Sequence, residues 1–309
     1  MFDREIFDQA RQEFLSHLLY AKGHSKTTCY AYNSDIGIWA DWLQTAGKDW
    51  QRARAVDVEQ FVAWQLRDRQ VSAAIVIRRM STLSSFYKWA LRHEIVERDP
   101  VYLAEKPKRP QRLPVWMEKE EQAKLQAALK DRNNLPLNIF GQNPERMTAT
   151  RRRYEMLFSL LLNAGLRISE AQGLKVADVR LVDGTAKSVR VIGKGDKERR
   201  VPLPEAFGQV FGFWIKDQPR GEFVFAKAPG QPPASSQAAR AYLREMVRQA
   251  GIDKPITPHK LRHTYATNLL NAGAELVDIK ALLGHESIAT TEIYTNVGQA
   301  RMEEVVNKL

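Results

Sequence analysis

Ala104-Glu105-Lys106-Pro107-Lys108-Arg109-Pro110-Gln111-Arg112-Leu113-Pro114 divides the chain. Its three prolines have no N–H to give a helix, and each biases the residue before it toward extended backbone. The segment therefore reads as a stiff connector. It sets a helical domain over residues 1–103, a basic linker over 104–115 and a second domain over 116–309. Lys106, Lys108, Arg109 and Arg112 make the linker cationic, which suits either solubility or contact with phosphates.

Before the connector, glycine occurs only at 23, 37 and 47 and no proline precedes Pro100. Hydrophobic residues recur there at helical spacing. Phe7, Ala10, Phe14 and Leu18 predict a first helix, and Tyr32, Ile36, Trp39 and Leu43 a second that starts after Ser25. Phe61, Val62 and Leu66 predict a third over about 57–70. A fourth, over about 72–94, carries Ile75, Arg79, Leu83, Phe86 and Ala90.

After the connector the pattern is mixed. Val179-Arg180-Leu181-Val182, Ser188-Val189-Arg190-Val191-Ile192 and Arg199-Arg200-Val201 alternate as strands do, with turns at Asp183-Gly184 and Gly193-Lys194-Gly195-Asp196. Pro229-Gly230-Gln231-Pro232-Pro233 reads as an exposed loop. The expected fold is mainly α with a small antiparallel β-sheet: an N-terminal helical domain and a C-terminal mixed α+β domain.

The chain has 309 residues, 44% of them hydrophobic, and a formal charge of +11. That is long enough for two domains with their own cores, and basic enough to favour a polyanionic partner, since neutralising phosphates releases counterions. No run of about 18 apolar residues argues for a membrane span, and the start Met1-Phe2-Asp3-Arg4-Glu5 does not resemble a secretory signal. A cytoplasmic protein without membrane contact is the expectation. The single cysteine, Cys29, allows no internal disulfide and reads as a small packed residue.

Three stretches carry candidate chemistry. In Thr257-Pro258-His259-Lys260-Leu261-Arg262-His263-Thr264, Thr257 suits an N-cap and Pro258 the first helical position. His259 and Arg262 then share a face beside the free N–H groups of a helix start, an arrangement that suits an oxyanion. The His259 and His263 spacing also resembles a zinc pair, but Lys260 stands where a metalloprotease helix needs its glutamate. In Asn163-Ala164-Gly165-Leu166-Arg167-Ile168-Ser169-Glu170, a glycine closes an apolar helix over Leu157–Leu162, and Glu170 can reach back to orient Arg167. Leu282-Leu283-Gly284-His285 ends a helix in a glycine suited to the left-handed position, with Tyr294 on the helix after it.

Together these residues resemble the tyrosine recombinase family, the phage-integrase and Xer type of site-specific DNA recombinase. The matching motifs are Ala164 to Glu170, Gly193-Lys194-Gly195, His259 to Thr264, Leu283-Gly284-His285 and Tyr294, in the family's order over about 116–309. The resemblance implies cleavage and rejoining of DNA strands through a 3′-phosphotyrosine, for integration, excision or resolution. It implies Tyr294 as nucleophile, Arg167 and Arg262 as clamps on the phosphate, and Lys194 as the acid that protonates the departing 5′ oxygen. His259 would move a proton on the tyrosine side, His285 would hydrogen-bond the phosphate and Glu170 would hold Arg167. No cofactor is implied, and no metal, since arginines neutralise the charge that magnesium carries in two-metal nucleases.

The resemblance further implies double-stranded DNA with short core sites as partner, gripped by both domains. It implies a homotetramer on paired sites, alone or with a related recombinase. Met302, Val305, Val306 and Leu309 have the spacing of an amphipathic helix, whose stripe either packs on its own domain or, as in the family, docks on a neighbouring protomer. Members with arm sites carry an extra N-terminal domain, and the chain has no room for one. The stretch Asp131 to Arg153 departs from the pattern by looking longer and looser than a compact member needs, which speaks against the housekeeping Xer pair and for a mobile element. Two other readings share these residues: a type IB topoisomerase, and a non-catalytic DNA-binding regulator.

Overall fold

The computed structural model describes residues 2–108, 115–131, 144–193, 197–217, 222–228 and 230–284. The chain forms two compact units, Met1–Arg112 and Leu113–Leu309. The first contains helices α1 (Arg4–Ser16), α2 (Lys26–Thr45), α3 (Ala55–Arg67) and α4 (Ala73–Arg92). Asp3 and Ser25 cap α1 and α2, accepting from the N–H groups of Ile6 and Thr28 at 3.1 Å each. A π turn over His17–Ala21 extends α1.

The helical spacing reads most of this core correctly. Phe7, Ala10, Phe14, Leu18, Ile36, Trp39, Leu43, Phe61, Val62, Leu83, Phe86 and Ala90 are buried together, with Cys29 and Tyr32 packed at the edge. The third helix differs from its expected span. It starts at Ala55 and stops at Arg67, and Gln70 takes a positive φ of 51°. Ile75 is 41% exposed; Val76 faces inward instead, and the buried stripe runs Val76, Met80, Leu83. Polar atoms inside the bundle are paired in series: Trp39 Nε1 donates to Tyr87 Oη at 3.0 Å, and Tyr87 Oη donates to the Trp50 carbonyl at 3.0 Å. Such pairing offsets the desolvation of both side chains.

The second unit contains α5 (Lys119–Lys130), α6 (Pro144–Ala164) and the short α7 (Ile168–Gln172). Strands β1 (Val179–Val182), β2 (Thr185–Ile192) and β3 (Glu198–Pro202) follow, then α8 (Glu205–Asp217), α9 (Ser236–Gln249), α10 (Pro258–Asn271) and α11 (Leu276–Leu283). The strands form an antiparallel sheet in the order β1-β2-β3. Asp183 and Gly184 both have positive φ, 49° and 77°, as a two-residue turn requires to match strand twist. Val189, Val191 and Val201 are buried. Arg190 and Arg200 pair across β2 and β3 on the opposite face.

α6 packs on α5 and α10 through Leu157, Phe158, Leu160 and Leu161, which belong to one buried cluster with Leu243, Met246 and Leu261. The loose reading of Asp131–Arg153 is corrected from Pro144 onward, where the chain is already the first half of α6. The arginine-rich sequence hid that helix because Arg151 is buried and donates to the Lys130 carbonyl at 3.2 Å. Residues 132–143 lie outside the described residues. Among those described, no helix is long and apolar enough to cross a membrane.

Helix α8 lies against β2 through glycines. A Cβ on Gly208 would run into the Ala186 carbonyl, and one on Gly212 into the Gly184 carbonyl. Neither backbone can yield without breaking the turn or the sheet. Gly212→Val should therefore destabilise the protein by about 1–3 kcal/mol, the range for overpacking. Urea denaturation checks this, and an unchanged midpoint would contradict the close approach.

Candidate active site

Helix α6 ends because Gly165 turns the chain with φ 60° while its N–H still donates to the Leu161 carbonyl at 3.0 Å. No other residue fits: a Cβ there would collide with the Tyr265 ring. The turn places Arg167 just ahead of α7, with Glu170 in the first turn of that helix. Glu170 accepts from the Arg167 backbone N–H at 2.9 Å and from Arg167 Nη1 at 2.7 Å, the reach-back expected from the sequence.

The same carboxylate holds two more arginines. Arg199, on β3, donates Nη1 to Glu170 Oε1 at 3.1 Å and Nη2 to Oε2 at 2.8 Å, a two-point fork. Arg262, on α10, brings Nη1 to 3.9 Å from Oε2. Three guanidinium groups thus share one carboxylate, which leaves the cluster cationic.

A helix end completes the arrangement. The last carbonyls of a helix have no partner within it. In α11, Leu282 O accepts from Arg199 Nε at 2.9 Å, Leu283 O from Arg262 Nη2, and Gly284 O from Arg167 Nη2 at 3.3 Å. Gly284 adopts the left-handed conformation, φ 65° and ψ 49°, as its sequence position predicted. Arg262 also donates Nη1 to the Gly165 carbonyl at 2.9 Å, so it ties the ends of α6 and α11 together.

Thr257 caps α10 and Pro258 occupies its first turn. The sequence suggested an arginine beside an open helix start, but Arg262 is only 2% exposed, because α10 packs on α6 and α11 there. His259 Nε2 lies 3.0 Å from His263 Nε2. One ring donates and the other accepts, so the spacing that resembles a zinc pair is used for a mutual hydrogen bond. Burial, reinforced by Arg262, Arg167 and Lys260, lowers the His259 pKa and favours its neutral ring. Among the described residues no group of three or more His, Cys, Asp or Glu is placed to hold a metal.

Of the residues singled out from the sequence, Arg167, Glu170 and Arg262 come together, with His259 within electrostatic reach of both arginines. Lys194, His285 and Tyr294 lie outside the described residues, as do Arg109 and Arg112. Gly193 N–H donates to Lys197 O at 2.8 Å, which closes the base of the β2–β3 connection. Lys106 and Lys108 are exposed. Arg199 was not singled out. The signal for it is strand parity, because Arg199 shares the inward face of β3 with the buried Val201.

Burial by itself raises the Glu170 pKa, but the Arg199 fork, the Arg167 N–H and the guanidinium charges outweigh it and hold it below the ordinary glutamate range. Stability from this carboxylate is therefore fully present above that range and is lost as pH falls through the depressed value. Glu170→Gln should cost about 3–5 kcal/mol at neutral pH, since it leaves buried cations without their counter-charge. Urea denaturation as a function of pH should show wild type and variant converging in acid. A constant gap would remove Glu170 as the source.

The phage integrase family model matches residues 137–301, and the N-terminal SAM-like domain of phage integrases matches residues 12–94. The chain is 34% identical to tyrosine recombinase XerD of Ralstonia nicotianae, over 95% of this chain and 91% of that protein. It is 32% identical to tyrosine recombinase XerC of Halalkalibacterium halodurans, over 96% of each. The fold is that of the XerH site-specific recombinase solved on its palindromic difH substrate after cleavage. That structure matches with a TM-score of 0.71 and 20% identity, over 96% of this chain and 84% of that one. With both units matched and two full-length relatives above 30% identity, this chain belongs to the phage integrase family and is a tyrosine recombinase.

Proposed function

We propose that the chain is a site-specific DNA recombinase in which Tyr294 is the nucleophile and Arg167, Lys194, His259, Arg262 and His285 serve the reaction, for integration, excision or resolution of DNA. One observation carries the reading: Arg167 and Arg262 are joined through Glu170 at the end of α11, with His259 within electrostatic reach of both arginines. A cationic cluster of planar donors suits the charge that builds on the non-bridging oxygens of a phosphate under attack.

In this reading the Tyr294 oxygen attacks the scissile phosphorus and its proton passes to the His259 ring. The bond from phosphorus to the 5′ oxygen breaks, and that oxygen leaves with a proton from Lys194. A 3′-phosphotyrosyl ester remains. Attack by an incoming 5′-hydroxyl reverses each transfer and joins the strands. The phosphodiester energy is kept in the ester, so no nucleotide is consumed. His285 hydrogen-bonds the phosphate, and Glu170 keeps Arg167 in place.

The partner is double-stranded DNA with short core sites, in the cytoplasm. The helical domain over 1–103 and the catalytic domain over 116–309 both contact the duplex, and Lys106, Lys108, Arg109 and Arg112 of the 104–115 linker meet backbone phosphates. The net charge of +11 supports this. The working form is a homotetramer on paired sites, in which the Met302, Val305, Val306 and Leu309 stripe docks on a neighbouring protomer.

A nicked suicide substrate tests the chemistry. Wild type should become covalently attached to DNA, with EDTA present, while Tyr294→Phe binds the same DNA without attachment. Arg167→Lys and Arg262→Lys should each slow attachment at least about 100-fold, the scale for removing one preorganised donor. Attachment by Tyr294→Phe, or a need for magnesium, would refute the assignment. Deleting residues 301–309 should preserve binding to a single site and abolish recombination between two; recombination at the wild-type rate would refute the tail contact.

A further inference from the structure

Arg199 belongs to neither the clamp nor the hairpin tip, yet it touches the surroundings of both. Strand alternation turns it inward with Val201, and its side chain is 13% exposed. An inward arginine is costly unless its donors are matched. Here they are matched to two different elements: Nη1 and Nη2 to the two oxygens of Glu170, and Nε to the Leu282 carbonyl. A Cβ built on Gly284 would lie 3.2 Å from its guanidinium, and one on Gly193 would lie 3.6 Å from Nη1. The group therefore sits between the base of the β2–β3 connection and the end of α11.

We infer that Arg199 is a positioning residue for strand transfer, fixing Glu170, and through it Arg167, against the end of α11; this rests on the recombinase reading above. Each Glu170 oxygen is shared. Oε1 accepts from Arg167 Nη1 and Arg199 Nη1, and Oε2 from the Arg167 backbone and Arg199 Nη2. Arg167 is 40% exposed and is otherwise tethered to Gly284 O at 3.3 Å. Without the Arg199 fork, Glu170 keeps hydrogen bonds from Arg167 alone, with Arg262 3.9 Å away, and Arg167 loses its fixed aim. Each of the three Arg199 nitrogens already donates to the protein, so the guanidinium is fixed in place by its own fold. Lysine supplies the charge from a single atom, without the planar fork that reaches Glu170 and the Leu282 carbonyl at once, so it does not substitute.

The test uses the full chain and the nicked suicide substrate, with DNA affinity measured separately by gel shift. Arg199→Met should slow covalent attachment by about 10- to 100-fold, the range for removing the partner that orients a functional group. Site affinity should be unchanged. The loss should shrink on a substrate whose scissile phosphate is a neutral methylphosphonate, because that centre needs less from Arg167. Combining Arg199→Met with Glu170→Gln should be no worse than the slower single variant, as expected of groups acting in one chain. Should Arg199→Met fail to fold, Arg199→Lys retains the charge and should show the same selective loss. Wild-type rates in the variant, an equal loss on both substrates, a parallel loss of affinity or multiplying effects in the double variant would each overturn the inference. Absence of any adduct with wild type would instead overturn the recombinase reading itself.

Discussion

A single buried carboxylate organises the catalytic unit. Glu170 is 5% exposed and accepts from Arg167 and Arg199 while Arg262 stands 3.9 Å away. Those residues come from the turn after α6, from β3 and from α10, three parts of the chain with no reason of their own to meet. A lone anion in that position would be neutral or unfolded. A lone guanidinium would be as costly. Each is tolerable because the others are there, so the hydrophobic core brings the elements near and the ionic contacts fix their register.

The balance of charge in the cluster has a functional meaning. Had the fold needed only neutralisation, one arginine per carboxylate would serve. Three cations around one anion leave an excess, and the consecutive carbonyls of Leu282, Leu283 and Gly284 at the negative end of α11 accept from those cations. These carbonyls orient the arginines without removing their charge. A cationic cluster whose donors are arranged in advance suits the charge of a phosphate, because such preorganisation is where electrostatic stabilisation gains most.

Sequence reading found this site unevenly. Gly165, Arg167, Glu170, Thr257 and Gly284 were legible because their roles are local: caps, a reach-back of three residues and left-handed turns follow from adjacent chemistry. Arg262 was found, but its burial was not, since burial depends on what α6 and α11 bring against α10. Arg199 was missed because its partners are 29 and 83 residues away and nothing nearby explains it. In the fold, the strands and most helix faces followed hydrophobic period. The first half of α6 did not, because its arginine run reads as solvated although Arg151 is buried. Ile75 and Val76 traded places for the smallest of reasons: a stripe shifted by one residue leaves the helix intact and turns a different side chain inward.

The seating of α8 on the sheet has a mechanical side. With only glycine at 208 and 212, the helix backbone meets the β1–β2 turn and the start of β2 with no side chain between them. The other end of the strand, at Ile192, is 59% exposed. β2 is thus clamped by a helix at Thr185 and Ala186 and by its ladder with β3 from Ser188 to Ile192. A change in how α8 is seated would reach the far end only through those strand pairings, without touching any residue there.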